Sequence, residues 1–299
     1  MTGPRRVEGA GVTLALESWA PAHPSAPPLL LLHGVSRRGS TFLPALPSFL
    51  PRFAVHALDH RGHGASGRAP GYLVRDYAAD AVRVAGSLGG PVVLYGHSLG
   101  ALVALLTAAA LPGRIAAVVA EDPPGPGFLA RVGEGDYRPI FDLYRRHAGS
   151  PLPVPELARL LDAAVLESPA GGAPRRFGAI RDSAGVRLTA ACLKALDPAV
   201  LDPLLSGVWL EGVDWPAALA RVACPVLLLR GEPALGGMLP AADFQTLRAG
   251  VADLTVVDFG ARSPWGTAGH TIIGQSPDVL PRFVIPFLVA AVAGGEGHA

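Results

Sequence analysis

Residues 91–110 read PVVLYGHSLGALVALLTAAA. The run Val92–Tyr95 is strand-like, Leu99–Leu111 is a stretch of good helix formers, and Gly96-His97-Ser98-Leu99-Gly100 joins them. A strand that turns abruptly into a helix through G-x-S-x-G carries its serine on a strained bend. The flanking glycines keep the backbone clear of it. Ser98 would then project its hydroxyl above the sheet, where the following helix N-terminus favours developing negative charge. The pentapeptide is common by itself; its place between strand and helix makes Ser98 the candidate nucleophile.

Outward from this segment, short apolar runs alternate with helical stretches. The predicted strands are Leu29–Leu32, Ala54–Leu58, Val92–Tyr95, Ala116–Ala120, Val226–Leu229 and Leu254–Val257. Most are continuously apolar, as in strands covered on both faces. Helices are predicted over 74–88, 99–111, 243–249 and 279–292, the last kinked at Pro286. The fold class is α/β: a mostly parallel sheet flanked by helices. The rhythm breaks at 125–213, where helical pieces (140–146, 155–166) are split by Pro/Gly clusters such as SPAGGAP and no β-type run occurs. This insertion is expected to be a helical cap over the site, with 1–124 and 214–299 forming the core.

Composition narrows the partners. Among 299 residues, half are hydrophobic and 16% charged, with 25 Lys/Arg against 24 Asp/Glu. That balance builds a large core and offers no footprint for nucleic acid or an anionic membrane. The expected partner is a small, neutral, apolar molecule. Cys192 and Cys224 stand apart without metal-ligand spacing, so a reducing cytoplasm is the expected location and no disulfide is implied. The apolar runs 101–111 and 283–293 are too short to span a bilayer, and the N-terminal residues lack the apolar core of a signal peptide. Gly62-His63-Gly64-Ala65-Ser66-Gly67 matches G-x-G-x-x-G but continues into a turn instead of a helix, so it is not read as a dinucleotide site. No cofactor and no metal are expected.

A serine hydroxyl needs a base. His270, in the Gly-rich stretch GTAGHTI past the last strand, is the best placed of nine histidines. The His97 side chain is expected to point away from the Ser98 pocket. His60 and His63 fall in a turn-rich loop where structural roles are expected, and His23, His147 and His298 have no supporting context.

The chain resembles the α/β-hydrolase superfamily. The resemblance rests on HG at 33–34, DHRGHGASG at 59–67, GHSLG at 96–100, CPVLLLRGE at 224–232 and AGHTI at 268–272, which span most of the chain outside the insertion. It implies an oxyanion hole formed by the backbone N–H groups of Val35 and Leu99, and a third residue, an acid, that orients the histidine. Many members place that acid in a G-E-x-D pattern after the strand equivalent to 225–229. Here the pattern is Gly231-Glu232-Pro233-Ala234, with alanine at the aspartate position. Three carboxylates remain open. Asp122 ends the strand after the Ser98 helix, where haloalkane dehalogenases and some lactone hydrolases carry their acid. Glu232 and Glu121 are the others.

Such residues suit acyl transfer to water through an acyl-enzyme, with carboxylic esters and lactones as the default substrates. The insertion holds ten Lys/Arg and ten Asp/Glu, which signals no charged substrate. Its Phe128, Tyr144 and Trp209 are candidates to line the pocket. Two other readings remain: a ligand receptor on the same fold with slow turnover, and a C–C bond hydrolase or lyase that reuses the triad.

Overall fold

The computed structural model describes residues 4–135, 137–167 and 173–295. The expectation about His298, and most of SPAGGAP, lie outside them. The central sheet runs from edge to edge as Arg5–Glu8, Thr13–Trp19, Ala54–Asp59, Pro28–Leu32, Val92–His97, Ile115–Glu121, Val226–Arg230 and Leu254–Asp258. The two pairings made by Thr13–Trp19 are antiparallel, and the other five are parallel.

All six predicted strands form, each longer than its apolar run by one or two residues. Their continuous hydrophobicity has the expected cause. Leu30, Leu32, Leu94, Val118 and Leu228 are buried on one face of the sheet. Leu29, Leu31, Val93, Val119 and Leu227 are buried on the other. The two N-terminal strands were not anticipated. Arg5–Glu8 is an edge strand whose side chains are mostly exposed, and Thr13–Trp19 buries Leu14, Ala15 and Leu16 in succession, so neither shows period-two alternation.

The helix Leu99–Ala110 buries nearly every residue against the sheet and the helix Val74–Ser87, which is why it is apolar on all sides. Near the C-terminus a π-helical turn, Leu280–Val284, passes directly into the α-helix Ile285–Gly295 that contains Pro286. Pro286 lies just past this π-turn, and both proline and π-turns are recognised sources of helix bending.

Between Pro126 and Leu205 the chain is mainly helical: Pro126–Arg131, Arg138–His147, Val154–Ala163, Phe177–Ile180, Ser183–Lys194 and Asp202–Leu205. The absence of strands here was overstated, because Val165–Leu166 and Arg175–Arg176 pair as a minimal antiparallel ladder. The segment is fastened to the sheet domain at both ends. The buried Asp243 carboxylate accepts from the Gly127 and Phe128 amides at 2.9 and 3.0 Å. At the far end, Trp209 Nε1 donates to the Tyr72 carbonyl at 3.1 Å, and Val74 N–H donates to the Trp209 carbonyl at 2.9 Å. No helix among the described residues is long and apolar enough to cross a membrane.

Candidate active site

Ser98 occupies a sharp bend with φ 56° and ψ −118°, immediately before the helix Leu99–Ala110. Its amide is held by the Glu121 carbonyl at 2.9 Å on the neighbouring strand. The glycines are sterically required: a Cβ on Gly96 would lie 2.1 Å from the Gly100 carbonyl oxygen, and one on Gly100 would lie 1.9 Å from that of Leu32. The strained serine is therefore bracketed by two points of close backbone contact.

Ser98 and His270 line one recess, together with Tyr137, Ile140, Phe141 and Tyr144 from the helical segment. His270 Nδ1 lies 2.7 Å from Asp122 Oδ2. This contact leaves Nε2 as the nitrogen available to a proton from Ser98. Asp122 is fully buried in a left-handed backbone conformation, φ 43°. Its carboxylate also accepts from the Gly231 amide at 3.0 Å and the Met238 amide at 2.8 Å. The loop that lacks the familiar aspartate thus supplies two donors to a carboxylate on the adjacent strand. Burial pushes the Asp122 carboxyl up to about 7, against the lowering pull of the Met238 and Gly231 bonds. Burial also pushes His270 well down, and the charges of Arg181 and Arg37 add to the effect.

The other two carboxylates are engaged elsewhere. Glu232 accepts from the amides of Ala261 at 2.9 Å and Ala234 at 3.3 Å, near the surface. Glu121 is fully buried, accepting from the Tyr95 hydroxyl at 2.6 Å and the Ile273 amide at 2.9 Å. Ile273 follows His270 by three residues, so Glu121 holds the histidine loop and not the histidine ring.

The 33–36 loop lies against the serine, since a Cβ on Gly34 would be 3.1 Å from Ser98 Cβ. Among the described residues, neither the Val35 nor the Leu99 amide has a main-chain acceptor, so both are free to serve an external oxygen. Buried histidines brace this loop. His63 Nε2 accepts from the Ser36 amide at 3.2 Å, His33 Nε2 accepts from the His60 amide at 3.0 Å, and His33 Nδ1 lies 2.8 Å from the Gly34 carbonyl. Burial pushes His33 and His63 down to about 3.

Three sequence expectations need correction. His97 does not point away: it lines the recess, and Nε2 lies 3.0 Å from the His270 carbonyl oxygen. Trp209 is only 1% exposed and is spent on fastening the chain to Tyr72, so it does not line the recess. Phe128 lies one layer behind it, edge-on to Tyr137 with ring centroids 5.5 Å apart. Tyr144 is on the lining. Sequence reasoning missed Tyr137, Ile140, Met238, Arg37 and Arg181, which also line it. Only Arg37 carried a signal, through its place two residues after Val35.

A family model described as the alpha/beta hydrolase family matches residues 29–282. Among solved structures, E-2-(acetamidomethylene)succinate hydrolase is similar at 25% identity and TM-score 0.71, over 95% of this chain and 98% of that one. An enol-lactonase from Burkholderia xenovorans LB400 is similar at 17% identity and TM-score 0.68, over 95% and 100%. A thermophilic esterase from Thermogutta terrifontis is similar at 20% identity and TM-score 0.66, over 96% and 99%. The last two likenesses concern the fold alone. A search of the curated proteins finds no match.

Proposed function

The chain belongs to the alpha/beta hydrolase family, and on that premise we propose that it is a serine hydrolase that cleaves a carboxylic ester or lactone through an acyl-enzyme. The observation that carries this reading is the 2.7 Å contact between His270 and Asp122 in the recess that also holds Ser98 on its strained bend. A buried carboxylate fixing one imidazole nitrogen beside a serine is the arrangement that general-base activation requires.

In this mechanism His270 Nε2 takes the Ser98 proton as Oγ attacks the carbonyl carbon. The oxyanion is held by the amides of Val35 and Leu99, one at the braced 33–36 loop and one at a helix N-terminus. Collapse of the tetrahedral adduct breaks the bond to the alkoxide, which leaves with the proton from His270. Water, deprotonated by His270, then releases the acid and regenerates Ser98. Asp122 stays hydrogen-bonded throughout and stabilises the imidazolium. Residues 125–213 act as the cap that selects substrate, through Tyr137, Ile140, Phe141 and Tyr144.

A second reading, cleavage of a bond other than an ester by the same residues, is supported by the likeness to E-2-(acetamidomethylene)succinate hydrolase. The test is a panel of p-nitrophenyl esters and lactones of varied size, assayed with wild type and Ser98→Ala. Ester turnover that disappears in the variant supports the proposal. Failure on every ester, with cleavage of a non-ester substrate, favours the second reading.

A further inference from the structure

The Ser98 recess is small, but it shares a wall with a cavity of about 360 Å³. Arg37, His97, Arg181 and Thr271 line both spaces, so a molecule filling the larger one approaches the serine past two guanidinium groups. They come from different parts of the chain. Arg37 follows the braced loop, and Arg181 stands between the helices Phe177–Ile180 and Ser183–Lys194.

Among the described residues neither arginine has an ion-pair partner. Arg37 uses one nitrogen, Nη1, on the Thr189 hydroxyl at 3.2 Å and the Ser36 carbonyl at 3.4 Å. Arg181 makes no hydrogen bond to another described residue. Both are half-buried. The carboxylates on the same cavity are committed elsewhere: Glu121 to Tyr95 and Ile273, Asp182 to the Gly185 amide. Glu121 and Asp182 line only the larger cavity, whereas on the wall it shares with the Ser98 recess the charged side chains are Arg37 and Arg181 alone. Two partly desolvated guanidiniums there favour an anion, and their planar forks suit a carboxylate.

We propose that Arg37 and Arg181 form a carboxylate clamp beside the catalytic recess, and that the preferred substrate is an acid anion: an ester or lactone whose acyl part carries a free carboxylate. This rests on Ser98 being the nucleophile, and it replaces the neutral substrate expected from the balanced charge count of the insertion. Overall composition averages the ten acidic residues of that segment against its ten basic ones. The cavity sees only the few that face it.

The test uses two matched activated esters, p-nitrophenyl hydrogen glutarate and its neutral methyl ester. Wild type is expected to prefer the anionic ester at least tenfold in kcat/KM, mainly through KM. Arg181→Gln and Arg37→Gln should each lower that preference about tenfold, and Arg181→Lys should restore part of it. A wild type that prefers the neutral ester, or glutamine variants that keep the preference, overturns the clamp. If neither ester is turned over faster than by Ser98→Ala, the ester-hydrolase reading falls. Calorimetric titration of Ser98→Ala with glutarate then decides the clamp separately: binding lost on adding Arg181→Gln sustains it, and no binding overturns it.

Discussion

His97 Nε2 lies 3.0 Å from the main-chain oxygen of His270, and the two imidazole rings are 4.7 Å apart between centroids. The residue beside the candidate nucleophile therefore holds the loop that carries the candidate base. Burial pushes His97 down to about 4, which keeps it neutral, and its Nε2–H is the donor to that carbonyl. It acts as a positioning residue. Replacing His97 with alanine should lower kcat about ten- to hundredfold with little change in KM, while glutamine, which keeps a donor, recovers part of the loss. Equal losses in both variants, or an effect confined to KM, would contradict this role.

The two acid candidates separate cleanly by mutation. Asp122→Asn should lower kcat by about three to four orders of magnitude, because the amide leaves His270 without its charge partner and in the wrong tautomer. Glu232→Gln disturbs only a contact between surface loops and should change kcat less than about tenfold. Steady-state kinetics of the two variants check this, and the reverse ranking would move the acid to the other strand.

Ser98→Ala should abolish hydrolysis without loss of fold. Activity above about a hundredth of wild type would remove Ser98 as nucleophile, since triad deletions cost far more. A serine-directed phosphonate should add once to wild type, by intact mass, and not to the variant.

The pH profile follows from the buried pair. With Asp122 raised to about 7 and His270 depressed, the pair takes up its first proton near neutrality. Only the deprotonated pair accepts a proton from Ser98, so kcat/KM should fall as pH drops through about 7. The charged and titratable groups acting on the pair are His97, Arg230, Arg37 and Arg181. Removing a nearby cation favours the protonated form, so Arg181→Gln should move this limb to higher pH. A shift to lower pH would contradict the placement of Arg181.

Stability should also depend on pH. Burial depresses His33, His60, His63 and His97. The unfolded chain binds protons at these positions below about pH 6.5, and the folded chain does not until pH is far lower. The stability they permit is thus complete above about pH 6.5 and is lost as pH falls toward 4 and 3, at about 1.4 kcal/mol per pH unit for each proton. The raised Asp122 offsets the depressed His270, so that pair adds little to the slope. Thermal melts at pH 7.5, 6 and 5 should show a falling Tm; a flat profile would refute the account.

Core strands and the serine bend were legible because their chemistry is local. Uninterrupted runs such as Leu29–Leu32 signal two-sided burial, and G-x-S-x-G is dictated by contacts within a few residues. The N-terminal strands were hidden because an exposed edge such as Arg5–Glu8 has no burial pattern to print on its sequence. Pocket lining was the least legible. Trp209 and Tyr144 are both large aromatics in the insertion, and only tertiary packing sends one to the Tyr72 carbonyl and the other to the recess. The same holds for His97, whose direction depends on a carbonyl 173 residues later.

The fastenings at Asp243 and Trp209 have a kinetic consequence. Hydrogen bonds at both roots of the segment resist its lifting away as one body. On the proposed function, ligand exchange then runs along the wall shared by the recess and the 360 Å³ cavity, where Arg37 and Arg181 stand. Rotamer changes there take picoseconds to nanoseconds where a side chain is exposed. Under that reading, substrate is admitted according to its size and charge at this threshold.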